Sequence, residues 1–276
     1  MQVILFVVIM AIAQGVAEFL PISSSGHLLV LGDWFGFNPE ENMFLNVVLH
    51  AGTLVAILVF YFKKLWSILV EPARRRLIAL VIAGSIPAAA VGVGVKITGL
   101  DEKLFSSPWV AACGFFVTGT MLLVVFGVPW KKVDCADKPA AVAAENMSLK
   151  QALLIGIAQA LAITPGISRS GSTISMGVWK NLRKADAAEF SFLLAIPAIG
   201  GAALLELLDF IKNSQNGIAN GEIFTLSLGL VVSAIVGYAA LAGLIALLKK
   251  GKLGYFSYYL YIAALIVLVV ETVKYC

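Results

Sequence analysis

The chain has 276 residues, of which 60% are hydrophobic and only 13% are charged. A soluble globular domain has about 45–50% apolar and about 25% charged residues. With a mean hydropathy of +0.95, the composition therefore excludes a water-soluble enzyme and predicts an integral membrane protein. The net charge of +4 does not indicate nucleic-acid binding, because the basic residues form short clusters between apolar runs, as the positive-inside rule describes. The three cysteines are scattered and odd in number, which predicts neither a disulfide framework nor a metal site.

Six apolar runs are each long enough to cross the hydrocarbon core of a bilayer, which takes about 20 residues. Each run is predicted to form a transmembrane helix. The runs cover roughly residues 43–62, 77–97, 108–128, 185–211, 223–248 and 254–274.

Two further apolar stretches, about 2–20 and 149–164, end in clusters of Pro, Gly and Ser. Each is followed by a short second apolar piece, at 27–37 and 172–179. Such broken segments predict re-entrant helix–loop–helix hairpins, which enter the membrane and return on the same side. With six crossings and two such hairpins, the main Lys and Arg clusters all fall on one side, which is then cytoplasmic. Both chain termini are accordingly expected outside.

The two broken segments are copies of one another. Residues 12–26 align with residues 157–171 without a gap, at an offset of 145. Three crossings separate the copies, so the second copy is inverted relative to the first. The predicted fold is an all-α membrane domain with an inverted-topology repeat: repeat 1 about 1–128, a linker about 129–148 and repeat 2 about 149–276. In such repeats the broken segments meet near the midplane and form the site.

The first broken segment carries an acid, an imidazole and three serines. Gln14 and Glu18 are four residues apart and so share one helix face, where a carboxylate is a candidate functional group unless it only makes a structural ion pair. His27 follows the serine turn Ser23–Ser25 and is a candidate general acid or base. Ser24 is the predicted nucleophile, although serine clusters also serve as turn residues and helix caps.

The second copy carries Arg169 where the first has Ser24. The planar donor fork of an arginine matches phosphate or carboxylate oxygens. A helix beginning near Ser172 would point its free N–H groups at the same anion. The predicted phosphate-binding residues come from both loops: Ser23, Ser25, Gly166, Ser168, Ser170, Gly171 and Thr173.

Two other ionisable side chains lie inside predicted spans. His50, near Asn46, is expected to have a structural role. Glu189, just inside the fourth span, is a candidate to orient Arg169 or His27.

Over essentially its full length the sequence resembles the undecaprenyl pyrophosphate phosphatases of bacterial inner membranes, the bacitracin-resistance type. That family carries an (E/Q)xxxE motif, matched by Gln14 to Glu18, and then a Ser-rich turn ending in a histidine, matched by Ser23 to His27. Its PGxSRSxxT motif is matched at every fixed position by residues 165–173.

The resemblance implies hydrolysis of a C55 isoprenyl pyrophosphate to the monophosphate lipid carrier of cell-wall synthesis. It also implies an active site open to the periplasm and a divalent cation, Mg²⁺ or Ca²⁺. Arg169 and the loop hydroxyls would hold the terminal phosphoryl group, and Ser24 would attack phosphorus or position a water that does. His27 would handle the proton. Glu18 would activate the nucleophile or, with Gln14, hold the cation.

The chain departs from the common family pattern at three positions. Gln14 stands where a second glutamate is frequent, and Asn46 and His50 stand where an acidic residue and a glutamine are frequent. The local negative charge is therefore lower, which weakens the expectation that side chains alone hold the metal.

A secondary transporter or lipid flippase is the alternative prediction, because inverted repeats with broken helices are typical of transporters. A purely structural membrane protein would leave the intramembrane charges unexplained. The expected partners are an isoprenoid pyrophosphate lipid and the bilayer, with no nucleic acid, and a homodimer is a candidate assembly.

Overall fold

The computed structural model of the chain describes residues 2–35, 43–100, 107–127, 141–213 and 220–275. These residues form eleven α-helices, two short 3₁₀ turns and one isolated β-bridge. In chain order the helices are α1 (Gln2–Phe19), α2 (Ser24–Phe35), α3 (Met43–Phe60), α4 (Phe62–Val70), α5 (Arg75–Thr98), α6 (Pro108–Phe126), α7 (Leu149–Leu161), α8 (Arg169–Trp179), α9 (Lys184–Asn213), α10 (Asn220–Lys249) and α11 (Tyr255–Tyr275).

Five of the described helices, α5, α6, α9, α10 and α11, are long and apolar enough to cross a membrane. Helices α3 and α4 make a sixth span if they are counted together, as a pair bent by 67°. Five of the six predicted spans thus correspond to single helices, and the first corresponds to this bent pair. The most exposed side chains on these helices include Ile97 (80%), Val124 (76%) and Val273 (70%), which is expected where lipid is the solvent. The chain is a multi-pass membrane protein.

The first predicted span ends earlier than its apolar run suggests. Helix α3 stops at Phe60, and the chain turns at Tyr61 into α4, where Lys63 and Lys64 follow at once. Two charged side chains at this point are unfavourable inside the hydrocarbon core. The bend therefore falls where the charges begin.

Helices α1 and α7 are the shorter apolar helices, and each is followed, after a non-helical turn, by a short helix packed against it. Helix α2 begins at Ser24 and α8 begins at Arg169, in both cases three residues earlier than predicted. Ser168 explains the early start of α8, because its side chain caps the helix by accepting from the N–H of Gly171. Ser24 and Arg169, which occupy equivalent positions 145 residues apart, are therefore both first-turn helical residues.

Glycines let the two turns meet against α6, which contacts both α2 and α8. A Cβ atom on Gly26 would lie 2.8 Å from Gly166 Cα, and a Cβ on Gly114 of α6 would lie 2.7 Å from the same atom. Gly166 also has φ +85°, in the left-handed region that favours glycine. Side chains at these positions would separate the turns, so the glycines bring the two predicted half-sites together.

The predicted linker, 129–148, lies partly outside the described residues. Its described end contains a 3₁₀ turn, Ala144–Asn146, and then Ser148, which forms a capping box with Gln151 at the start of α7.

Candidate active site

An ion pair between the two broken segments lies at the centre of the site. Arg169 Nη2 donates to Glu18 Oε1 at 2.8 Å, across 151 residues of sequence. The side chains are only 14% and 6% exposed, respectively. Arg169 Nη1 also donates to the backbone oxygen of Ser191 at 3.2 Å, and its guanidinium lies 5.8 Å from the centre of the Phe192 ring. A charge among apolar helices requires such partners, and these contacts fix the direction of the guanidinium.

The other carboxylate oxygen of Glu18 has two donors of its own. Gln14 Nε2 donates to Oε2 at 3.1 Å from one helical turn earlier, and the Ser24 hydroxyl donates to the same oxygen at 2.6 Å. His50 Nε2 is 3.9 Å away. Glu18 thus accepts hydrogen bonds from the Gln14 amide and the Ser24 hydroxyl through this oxygen.

His27 follows the serine turn and forms a hydrogen bond through each of its ring nitrogens. Its Nδ1 is 2.8 Å from the backbone oxygen of Ser23, and its Nε2 is 2.6 Å from the Tyr259 hydroxyl. Because a carbonyl oxygen can only accept, Nδ1 carries a proton, and Nε2 of the neutral ring accepts from Tyr259. The two rings stack at 5.7 Å. Sequence reasoning missed Tyr259, which lies in the last span, far along the chain from both motifs.

Ser23 is the strained residue of the first turn. It has φ +70°, an unusual conformation for a residue other than glycine, and is 3% exposed. Its hydroxyl accepts from the N–H of Gly26 at 3.3 Å and lies 3.3 Å from the Ser25 hydroxyl, while its carbonyl oxygen pairs with His27. These bonds hold the strained conformation, and strain of this kind is concentrated at functional sites.

Thr118 of α6 forms hydrogen bonds with the backbone of the second turn. The Thr118 hydroxyl donates to the backbone oxygen of Gly166 at 3.0 Å and accepts from the N–H of Ser168 at 2.9 Å. The hydroxyl of Ser168 accepts from the N–H of Gly171 at 3.1 Å. Gly166 and Gly171, predicted to bind phosphate, are thus part of this tightly bonded turn.

The remaining hydroxyls of the second turn are also engaged within the protein. Ser170 donates to the backbone oxygen of Leu20 at 3.2 Å, which links α8 to the first turn. Thr173 lies 2.7 Å from the backbone oxygen of Arg169 and 2.5 Å from the hydroxyl of Ser191. Ser168, Ser170 and Thr173 are at most 1% exposed. Their positions support the helix turn that presents Arg169 and give no support to the predicted contact of these hydroxyls with phosphate.

Only some of the side chains at the site are partly exposed and can be reached by a ligand. Gln14 and Glu18 are buried. The partly exposed side chains are Ser24, Ser25, His27, His50 and Arg169. One reachable guanidinium and one reachable hydroxyl bonded to a carboxylate make the site suited to an anion that reacts with that hydroxyl.

Two neighbouring ionisable groups have contacts that the sequence did not reveal. His50, expected to be structural, lies with Nε2 3.9 Å from Glu18 Oε2. Glu189, a candidate to orient Arg169 or His27, instead pairs with Lys64 at 2.9 Å. The lysine lies in the first turn of α4, just after the bend from α3.

No three His, Cys, Asp or Glu side chains of the described residues come together as a metal-binding group. One oxygen is nevertheless free to bind a cation: Gln14 Oε1 is buried beside Glu18 and has no hydrogen-bond partner. Magnesium is commonly held by one or two protein oxygens together with substrate phosphates and water. The residues thus fit a cation shared with a phosphate ligand, and do not fit one held by side chains alone.

Comparison with known proteins agrees with this geometry. Residues 7–266 match the family model described as "Bacitracin resistance protein BacA". An undecaprenyl-diphosphatase of Rhodopirellula baltica is 43% identical over 245 residues, with 89% of each chain covered. Proteins of the same name from Desulfosudis oleivorans and Carboxydothermus hydrogenoformans are 38% and 37% identical and cover 88% of this chain, which covers 90% and 88% of theirs. The chain therefore belongs to the bacitracin-resistance protein family.

Proposed function

We propose that this protein hydrolyses undecaprenyl pyrophosphate to undecaprenyl phosphate and inorganic phosphate, which returns the lipid carrier to cell-wall synthesis in the bacterial inner membrane. The observation that carries the proposal is the chain of contacts from the Ser24 hydroxyl to Glu18 and from Glu18 to Arg169. It joins a nucleophile, its proton acceptor and an anion-binding cation. Membership of the family and the similarity to undecaprenyl-diphosphatases support the same activity.

In the proposed reaction, Arg169 exchanges part of its contact with Glu18 for oxygens of the terminal phosphoryl group. Ser24 Oγ attacks the terminal phosphorus, and its proton passes to Glu18. The bond from that phosphorus to the bridging oxygen breaks, and the lipid monophosphate leaves. Water then attacks the phosphoserine and gives its proton to His27, the bond from phosphorus to Ser24 Oγ breaks, Glu18 returns the proton to Ser24 Oγ, and inorganic phosphate is released. Arg169 stabilises the charge on the phosphoryl oxygens throughout.

In this proposal Gln14 and Glu18 would help to hold a divalent cation, Mg²⁺ or Ca²⁺, together with the substrate. The cation would neutralise part of the charge on the phosphate oxygens. We expect EDTA to abolish phosphate release and added Mg²⁺ or Ca²⁺ to restore it. In Gln14→Ala, the cation concentration for half-maximal activity should rise by roughly ten-fold, because one oxygen ligand is lost. An unchanged requirement in that variant would remove Gln14 from the cation site.

Tyr259→Phe tests the bond that holds His27. We expect kcat to fall about ten-fold with KM within two-fold of the parent value, because His27 remains but loses the partner that orients it. The measurement is steady-state phosphate release by purified protein. Tyr255→Phe, one turn earlier on α11 and exposed to a similar extent, is the control and should match the parent. Equal losses in the two variants would contradict a special role for the Tyr259 hydroxyl.

We also propose that the helices form an inverted-topology repeat, with repeat 1 about 1–128 and repeat 2 about 149–276. Adding 145 to the bounds of α5 gives 220–243, which lies inside α10, and the bounds of α6 become 253–271, which overlap α11. The packing supports the same relation, because α1 packs on α10 as its counterpart α7 packs on α5. The two broken segments would then be re-entrant hairpins that open on opposite sides of the membrane.

The basic clusters support an orientation for this arrangement. With six crossings they lie on the cytoplasmic side, which puts both termini outside and the opening of the first hairpin toward the periplasm. Labelling of cysteines placed at each terminus, in intact cells, tests the orientation. Assembly as a homodimer stays a prediction, which the mass of the protein in detergent would test.

Hydrolysis is separated from transport by an assay without compartments. We expect purified protein in detergent to release one phosphate from each undecaprenyl pyrophosphate. Arg183→Ala, a change at an arginine that pairs with Asp186 outside the site, should leave the rate unchanged. Absence of phosphate release, with movement of the lipid across liposome bilayers, would instead support a transporter or flippase.

A further inference from the structure

The guanidinium of Arg169 is held from two directions. On one side Glu18, in the other broken segment, accepts from Nη2 at 2.8 Å. On the other side lie two consecutive residues of α9. The backbone oxygen of Ser191 accepts from Nη1 at 3.2 Å, and the centre of the Phe192 ring lies 5.8 Å from Cζ. When Arg169 exchanges part of its contact with Glu18 for phosphate oxygens, the contacts with α9 are the ones that remain.

Packing fixes the Phe192 ring in this position. The side chain is 0% exposed. Its ring centre lies 5.7 Å from that of Phe19, the residue after Glu18, and 6.2 Å from that of Tyr61, at the bend between α3 and α4. A large side chain in a close-packed interior is held in one orientation by its neighbours. The ring therefore presents a fixed face to the guanidinium.

An aromatic face stabilises a cation without using its hydrogen-bond donors. The ring attracts the guanidinium through its negative face, and this attraction is larger where water is excluded. A guanidinium has five N–H donors, and Glu18 and Ser191 each accept from one of them. A second carboxylate in the place of Phe192 would take further donors and compete with the phosphate. The ring leaves those donors for the substrate.

Helix α9 also holds the backbone of Arg169. The Ser191 hydroxyl lies 2.5 Å from the hydroxyl of Thr173, which donates to the backbone oxygen of Arg169 at 2.7 Å. Ser191 thus fixes Arg169 at its backbone and at Nη1, and the Phe192 ring lies against the charged group itself. The position of the guanidinium depends on α9, which carries neither of the two motifs.

We propose that Phe192 is a positioning residue for the reaction: its ring holds the charged guanidinium of Arg169 where it binds the terminal phosphoryl group. The inference rests on the proposed phosphatase function. With a weaker contact between the ring and the cation, the guanidinium would be less well placed for the phosphoryl oxygens, although the fold stays intact. The rate should therefore follow the electron density on the face of the ring.

Fluorinated phenylalanines at position 192 test the proposal, because fluorine withdraws electrons from the face of the ring and changes its size little. We expect kcat/KM for phosphate release to fall stepwise with one, two and three fluorines, to about one tenth of the parent value with three. The melting temperature in detergent should fall by only a few degrees, since the ring remains buried.

The same series at position 190 is the matched control. Phe190 is also a phenylalanine of α9 with 0% exposure. Its ring lies toward α5, where a Cβ atom on Gly84 would be 3.6 Å from Phe190 Cζ. Fluorination there should leave kcat/KM within two-fold of the parent value. Equal losses at the two positions, or a loss at 192 that does not increase with fluorine number, would mean that Phe192 acts by packing alone. Either result, or no loss at 192, overturns the proposal.

Binding of a non-hydrolysable C15 methylene bisphosphonate separates this inference from the proposed function. Its Kd should rise stepwise with fluorination at 192 and stay constant with fluorination at 190, because Arg169 holds the anion before any bond breaks. If the Kd rises in this way but the parent releases no phosphate from the C55 pyrophosphate, the proposed function fails and the contact of Phe192 with Arg169 stands. If the parent releases phosphate and fluorination at 192 changes neither Kd nor kcat/KM, the inference alone fails.

Discussion

Arg169→Ala is expected to lower kcat/KM for the pyrophosphate lipid by about a thousand-fold or more, as loss of an arginine that stabilises phosphoryl transfer does elsewhere. Arg169 donates to Glu18 and is the reachable guanidinium of the described site, so no neighbouring cation replaces it. Arg169→Lys keeps the charge but loses the two-pronged donor geometry, and should recover only part of the rate. Phosphate release by purified variants is the measurement.

Loss of stability must be separated from loss of chemistry, because Arg169→Ala leaves Glu18 buried without its cation. Breaking a buried ion pair costs about 3–5 kcal/mol. The double variant Arg169→Ala, Glu18→Gln removes the unpaired charge and should regain much of the thermal stability in detergent. It should stay inactive. Near-normal phosphate release by Arg169→Ala would refute the assignment of the anion-binding group.

Ser24→Ala is expected to abolish formation of a phosphoenzyme and to lower kcat by at least about 10³-fold, because the attacking oxygen is lost. Single-turnover hydrolysis with a radiolabelled terminal phosphate measures both effects. Ser25→Ala is the matched control. Ser25 is a similarly exposed serine of the same turn, but its hydroxyl pairs with Ser23 and not with Glu18. Its rate should fall by less than about ten-fold, because only a turn contact is lost.

The same experiment decides the role of His27. If His27 accepts the proton of the water that cleaves the phosphoserine, His27→Ala should accumulate a labelled phosphoenzyme. A labelled phosphoenzyme in Ser24→Ala would show that another residue is the nucleophile. If no variant and no time point of the parent yields one, Ser24 acts by positioning a water.

The helices, and the pairing of the two motifs, could be predicted because both depend on patterns that are visible in the sequence. Apolar run length marks the spans, and the 145-residue repeat brings Glu18 and Arg169 into one site. What the sequence could not give is the direction of individual side chains. The hydroxyls of Ser168, Ser170 and Thr173 suggested phosphate ligands by composition, yet backbone groups within hydrogen-bonding distance engage them inside the protein.

Contacts with side chains on distant helices could not be predicted from the sequence either. Tyr259 and His50 lie on helices that carry neither motif, so only packing reveals that the first contacts His27 and the second approaches Glu18. The pairing of Glu189 with Lys64 could not be predicted for the same reason. A lone carboxylate in an apolar run predicts that a cation is near, but the bend that brings Lys64 to it depends on tertiary structure.

The separation of Glu18 and Arg169 by 151 residues has a consequence for biosynthesis. When the first helices enter the membrane, the carboxylate has no guanidinium to pair with until the second half of the chain has been made. During that interval Glu18 must stay solvated at the membrane surface or take up a proton. A nascent chain that ends before α8 should therefore be more sensitive to membrane proteases than one that ends after it. Glu18→Gln should reduce that difference.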